Sequence, residues 1–237
     1  MKAMILAAGR GERMRPLTDA TPKPLLTIGG KYLILWSIFR LKQAGIIDLV
    51  VNTSHLAGQI KSALGDGTQF GVRITYSFER EALETAGGIA WALPLLDDQP
   101  FLVVNSDVYS DYDFAGLTQH AQTLSANQPA HLVLVDNPEH HRQGDFGLRD
   151  GVVTADGARL TFSGIGAYHP ALFAGIARGD KARLAAQLAR PIAEGRVSGE
   201  HFRGEWNDVG TPQRLAELDA RLRNDGNAGK VSHTGGD

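Results

Sequence analysis

The chain is predicted to adopt an α/β fold: a mostly parallel central sheet covered by helices on both faces, with an antiparallel addition. Three observations predict it. Short apolar runs alternate with helix-period segments through the first half of the sequence. After Asp113 the pattern changes to short runs punctuated by glycine. The 237 residues, 43% hydrophobic and 21% charged, are enough to bury a full core within one domain.

The apolar runs at 3–7, 49–52, 72–77 and 101–104 predict buried strands. Between them, Ile34, Ile38 and Leu41 mark one helical stripe and Leu56, Ile60 and Leu64 a second, each able to pack on the sheet. A helix over 114–126 leads to a strand at 130–135 and then to short strands between 146 and 162. Asp150-Gly151 and Asp156-Gly157 supply turns there. This part reads as the antiparallel addition, folding over the ligand. A helix over 181–194 and a closing helix over 212–223 complete a single domain, 1–223. The polar, glycine-bearing segment 224–237 lacks hydrophobic periodicity and reads as a mobile tail.

Composition narrows the chemistry. With no cysteine there is no disulfide framework, thiolate zinc site or cysteine nucleophile. A formal charge of -2 without a long basic run gives no electrostatic footprint for nucleic acid. The apolar start is short and passes directly into Gly9-Arg10-Gly11-Glu12-Arg13, as a first buried strand does and a signal peptide does not. No segment approaches the roughly 20 apolar residues that span a bilayer. The expectation is a soluble, cytoplasmic protein without membrane or nucleic-acid partners.

Four motifs carry chemistry. Leu6-Ala7-Ala8-Gly9-Arg10-Gly11-Glu12-Arg13-Met14-Arg15-Pro16-Leu17-Thr18 leaves a strand through two glycines, which let backbone N–H groups approach phosphate oxygens. It is neither a dinucleotide fingerprint, since Met14 stands at the third glycine position, nor a P-loop, since no Gly-Lys-Ser/Thr follows. In Thr21-Pro22-Lys23-Pro24 two prolines hold one lysine in a defined direction. Glu84-Thr85-Ala86-Gly87-Gly88 places paired glycines near a helix N-terminus, for close ligand approach or for helix packing on the sheet. Asn105-Ser106-Asp107-Val108 ends a buried strand in a carboxylate, and Trp206-Asn207-Asp208-Val209-Gly210-Thr211-Pro212 offers a second before a Pro-started helix. Asp107 and Asp208 suit either a hard cation or a cap or turn. Taken singly, each motif has an ordinary structural reading. Jointly they suit the holding of a polyphosphate with a divalent metal.

In order and over residues 1–222, these motifs resemble the sugar-1-phosphate nucleotidyltransferase family. Within it, the compact length, Asp111-Tyr112-Asp113-Phe114 and Phe162-Ser163-Gly164-Ile165-Gly166-Ala167-Tyr168-His169-Pro170 are most similar to the branch that uridylylates N-acetylmuramic acid 1-phosphate in cell-wall sugar recycling. The resemblance implies a three-layer α/β/α, Rossmann-like nucleotidyltransferase fold and a magnesium-dependent enzyme, monomeric or a small homo-oligomer. Its substrates would be UTP and a sugar 1-phosphate. It implies that Gly9, Gly11, Glu12 and Arg13 border the triphosphate, that Arg15 and Lys23 neutralise it, and that Asp107 and Asp208 hold Mg²⁺. Asn52, Gly87 and Gly88 would lie near the base and ribose, and Asn105, Phe146 and Gly147 would face the sugar phosphate. The sequence departs from the family at Tyr32, where proline is usual, at Ser106, where glycine is commoner, and after Val153, where larger relatives carry Glu-Lys-Pro. Other readings that the motifs leave open are a mannose- or glucose-1-phosphate nucleotidyltransferase, a cytidylyltransferase, a metal-dependent glycosyltransferase and a silent nucleotide-sugar sensor. Retention of Arg15, Lys23, Asp107 and Asp208 speaks against the last.

Overall fold

Each strand at the centre of the molecule sends alternate side chains to two different cores. A computed structural model describes the backbone of residues 1–231 and the side chains of residues 1–224. In chain order it contains β1 (Lys2–Leu6), α1 (Leu17–Ala20), β2 (Thr27–Ile28), β3 (Lys31–Tyr32), α2 (Leu33–Gln43), β4 (Asp48–Thr53) and α3 (Ala57–Leu64). Then come β5 (Arg73–Phe78), α4 (Glu84–Leu96), β6 (Phe101–Asn105), β7 (Val108–Ser110), α5 (Phe114–Thr123), β8 (Ala130–Val135), β9 (Phe146–Arg149) and β10 (Val152–Thr154). The last elements are β11 (Arg159–Tyr168), α6 (Leu184–Ala193), β12 (Val197–His201), β13 (Trp206–Asp208) and α7 (Pro212–Val231).

Ala3 and Ile5 of β1 pack with α2, α3 and α5 through Ile34, Ile38, Ile60 and Leu117, whereas Met4 between them packs with Ile89 of α4 and Leu188 of α6. This period-two division makes three layers, α/β/α. Of the two predicted helical stripes, Ile34, Ile38, Leu41, Ile60 and Leu64 are fully enclosed, whereas Leu56 precedes its helix and is only partly buried. A third cluster, with Met14, Ile28, Leu33, Val209 and Leu218, moors α7 against the N-terminal loops.

One nine-stranded sheet runs in the order β5-β4-β1-β6-β11-β8-β12-β10-β9. Its first four strands are mutually parallel, β11 is antiparallel to both β6 and β8, and β12 returns parallel to β8. The first residues of β11 also pair with β9, closing the far end on itself. The antiparallel addition is therefore continuous with the parallel sheet. Asp150 and Gly151, both with positive φ, form the predicted two-residue hairpin between β9 and β10.

Several boundaries differ from the sequence pattern, each for a local reason. α3 starts after Leu56 because that residue is left-handed, at φ 53. α5 stops at Thr123 because Leu124 is extended. α6 starts at Leu184 and not at 181, because Ala182 is engaged elsewhere: its N–H donates to the Leu83 carbonyl, and its own carbonyl accepts the N–H groups of Ala86 and Gly87. The closing helix runs on to Val231 through residues placed in the tail by pattern alone. The mobility expected of the remaining segment, 232–237, lies outside the described residues.

Candidate active site

The carboxyl ends of β1, β4 and β6 open onto a cavity of about 600 Å³ lined by the loop that follows β1, by Lys23 and by Asp107. The loop is tied down at both ends. Ala7 N–H donates to Asn52 Oδ1 at 2.7 Å, and Thr18 Oγ1 donates to the Gly11 carbonyl at 2.9 Å. Between these ties, the N–H groups of Ala8, Gly9, Arg10 and Gly11 find no protein acceptor among the described residues. A row of unpaired N–H donors on a cavity wall is an anion cradle. Gly11 sits at φ +64, and a Cβ there would press on Thr18 Cγ2 at 3.0 Å, so glycine is required for both reasons. Gly9 has open space, and Glu12 and Arg13 continue the wall.

Asn52 is 3% exposed and joins two of these elements. Besides accepting from Ala7, it donates through Nδ2 to Glu79 Oε1 at 2.6 Å, while Glu79 Oε2 accepts the Leu83 N–H at 3.0 Å. Burial pushes the Glu79 carboxyl above its ordinary range, partly offset by the Leu83 and Asn52 hydrogen bonds. Gly88 completes the arrangement, because a Cβ there would stand 2.7 Å from Glu79 Oε1 and 3.0 Å from Asn52 Nδ2. Gly87 serves packing: its N–H is bonded to Ala182, and a Cβ would run into the Asp180 carbonyl.

The two aspartates meet through a small second sheet. β7 follows Asp107 directly and pairs antiparallel with β13, setting Asp208 opposite Val108, and Val209 N–H donates to the Asp107 carbonyl at 2.9 Å. Each carboxylate has a cation. Lys23, only 11% exposed between its two prolines, bonds Asp107 Oδ2; Arg214 Nη1 bonds Asp208 Oδ1 at 2.6 Å, with His140 Nε2 3.0 Å from the same oxygen. Thr211 Oγ1 accepts the Arg214 N–H at 3.3 Å, the cap expected before Pro212.

The matched family model is that of nucleotidyl transferases, over residues 2–159. The N-acetylmuramate alpha-1-phosphate uridylyltransferase of Neisseria meningitidis serogroup B is 56% identical over 225 residues, which cover 93% of this chain and 97% of that protein. This chain belongs to the nucleotidyl transferase family. It is an enzyme of the sugar-1-phosphate nucleotidyltransferase kind. A mannose-1-phosphate guanyltransferase from Neurospora crassa is 31% identical over 226 residues, 90% of this chain but 62% of its own length, so the chain spans under two thirds of such relatives. A Bacillus anthracis structure named as a glucose-1-phosphate thymidylyltransferase shares the fold, with a TM-score of 0.83 at 24% identity over 94% of this chain and 96% of that one.

Within this nucleotidyltransferase the residues expected at the site are not equally close to the cavity. Gly9, Gly11, Glu12, Arg13, Lys23, Asn52, Asn105 and Asp107 line it. Arg15 points away, its Nε 3.1 Å from Asp19 and its side chain 59% exposed. Phe146 packs into the core beside α4 and α6, and a Cβ on Gly147 would run into the Asp156 carbonyl, so both have structural roles in the closed end of the sheet. No residue of 130–201 lines the cavity, so the antiparallel addition does not fold over it. It reaches the site instead through His140 and through Gly164, whose φ of +78 and missing Cβ admit the Asn105 side chain. Glu79 and Arg214 are additions that sequence reasoning missed, and neither belongs to a motif: Glu79 lines the cavity, as does Gly210 of the motif that carries Asp208, and Arg214 bonds Asp208 itself.

Among the described residues, no group of three or more His, Cys, Asp or Glu side chains could hold a metal ion unaided. Asp107 and Asp208 nevertheless fit a hard cation of the magnesium type. Such an ion is held through one or two carboxylates, with waters and substrate phosphates completing its shell.

Proposed function

We propose that this chain transfers UMP from UTP to N-acetylmuramic acid 1-phosphate, giving the UDP-sugar and pyrophosphate. The observation that carries the substrate is the likeness to the meningococcal uridylyltransferase, which extends over almost the full length of both chains. The cavity supports the reaction type. Residues 1–223 act as one catalytic domain, and a place in cytoplasmic cell-wall sugar recycling follows from the substrate; no helix among the described residues is long and apolar enough to cross a membrane.

A phosphate oxygen of the sugar phosphate attacks the α-phosphorus of UTP in line; the new P–O bond forms as the bond to pyrophosphate breaks. The nucleophile is already anionic, so no general base is required, and positioning and charge neutralisation carry the catalysis. The free N–H groups of Ala8 to Gly11 cradle the triphosphate, and Lys23 neutralises charge on it. Arg15 acts only if it leaves Asp19. Asn52 and Gly88 set the shape of the nucleotide side, and Asn105 faces the sugar phosphate. Asp107 and Asp208 would hold Mg²⁺, which supplies further neutralisation of the phosphates.

Incubation with UTP and N-acetylmuramic acid 1-phosphate should release pyrophosphate and form a product with the mass of the UDP-sugar. Excess chelator should stop it. Release of UDP would indicate a glycosyltransferase, and a higher kcat/KM for N-acetylglucosamine 1-phosphate, or for GTP with mannose 1-phosphate, would refute the substrate assignment.

A further inference from the structure

Arg214 stands where a helix should not carry a cation. It is the third residue of α7, whose N-terminus is the positive end of the helix dipole and favours acidic side chains. Its guanidinium turns back over that end to reach Asp208, 2.6 Å away, where the pair is only 22% and 25% exposed. Gly210 makes the room, since any Cβ there would run into Arg214 Nη2, and Gly210 itself lines the cavity. The guanidinium therefore lies behind the cavity wall, against the carboxylate that the proposed reaction assigns to the cation.

The two aspartates have unlike partners. Lys23, only 11% exposed, bonds Asp107 Oδ2 from a backbone restricted by Pro22 and Pro24. Arg214 is held by a long, flexible side chain, and its other contacts are His140 and a marginal 3.5 Å approach of Nε to Thr211 Oγ1. A monovalent cation on the Asp208 Oδ1 oxygen and a divalent cation bound to the same carboxylate repel one another at contact distance.

We propose that Arg214 is an exchangeable counter-ion of Asp208: it neutralises the carboxylate until a divalent cation displaces it, so that guanidinium and cation compete for one site. This rests on the reading of Asp208 as a cation ligand given above. Cation binding then also releases the link between α7 and His140, because both contacts run through the same guanidinium.

The test is direct binding of Mn²⁺ to the full chain at one pH, without nucleotide or sugar, by isothermal titration calorimetry. Arg214→Gln should bind Mn²⁺ about threefold or more tightly than the unaltered protein, the size expected when a partly exposed ion pair no longer has to be broken. Gly210→Ala keeps the arginine but crowds it off its seat, and should shift the affinity in the same direction. Equal or weaker binding by Arg214→Gln, or no detectable binding by either protein, overturns the proposal. Should that variant lose its native circular dichroism, Gly210→Ala decides by the same criterion. Asp208→Asn separates the two readings: unchanged Mn²⁺ affinity in that variant refutes Asp208 as a ligand, whatever Arg214 does.

Discussion

Removal of the Asn52 side chain tests whether the nucleotide side of the cavity is held from below. Asn52→Ala deprives the Ala7 N–H of its acceptor and the Glu79 carboxylate of one of its two donors. An unmet buried N–H costs about 1–3 kcal/mol, and a hydrogen bond to a charged group contributes about 1.5–3 kcal/mol. Water from the open cavity can reach both positions, which argues for the low end of the sum, about 2.5–3 kcal/mol. For a domain of this size that corresponds to a fall in Tm of about 5–12 °C, measurable by differential scanning fluorimetry. The effect also depends on pH. Glu79 already titrates above its ordinary range, and loss of the Asn52 donor raises it further. A carboxyl with a raised folded-state pKa favours folding most when protonated, below about 4.3, and this advantage disappears as pH rises through the folded value. The Tm gap between variant and unaltered protein should therefore be widest at neutral pH and narrow on acidification. KM for UTP should rise, because the loop after β1 loses one anchor. A gap below about 0.5 kcal/mol, or one independent of pH, would refute the reasoning.

Gly88→Ala should weaken UTP binding by a related route, since its Cβ enters contact with Glu79 and Asn52; unchanged KM would place the base elsewhere. Asp107→Asn and Asp208→Asn should each cut turnover on the order of 10²-fold or more with native circular dichroism, and wild-type kinetics at limiting Mg²⁺ would assign that aspartate to structure alone. Lys23→Ala should lower kcat on the order of 10²-fold, and Arg15→Ala less, because Arg15 is exposed and paired with Asp19; equal losses would mean that Arg15 swings into the site. Away from the cavity, His131 and then Tyr112 hold the Glu200 carboxyl below its ordinary range against the opposing effect of burial. Its contribution to stability is present above about pH 4.3 and lost as pH falls through the lower folded value, so Glu200→Gln should reduce Tm at neutral pH and converge with the unaltered protein in acid.

Much of this protein is legible one segment at a time. The four parallel strands, the stripes of α2 and α3, the hairpin at Asp150-Gly151 and the cap at Thr211 follow from periodicity and turn chemistry, because each is dictated by residues within a few positions of one another. The loop after β1, Lys23, Asn52, Asn105 and Asp107 line the cavity for a similar reason: strand ends and glycine turns announce where backbone and charge face a ligand. What the sequence alone could not settle depends on the contacts each residue makes in the folded chain. Gly87 stands in a glycine pair that suits ligand approach, and the family resemblance implies that Gly147 faces the sugar phosphate, yet the space they leave is filled by the protein's own Asp180 and Asp156 carbonyls. Arg15 sits in the most basic stretch but is claimed by Asp19. Glu79 and Arg214 belong to no motif: Glu79 reaches Asn52 because β4 and β5 lie side by side, and Arg214 reaches Asp208, six residues away, by turning back over the start of α7. Local spacing determines which residues can do chemistry, whereas the contacts made in the fold, near and far along the chain, decide which remain free to do it.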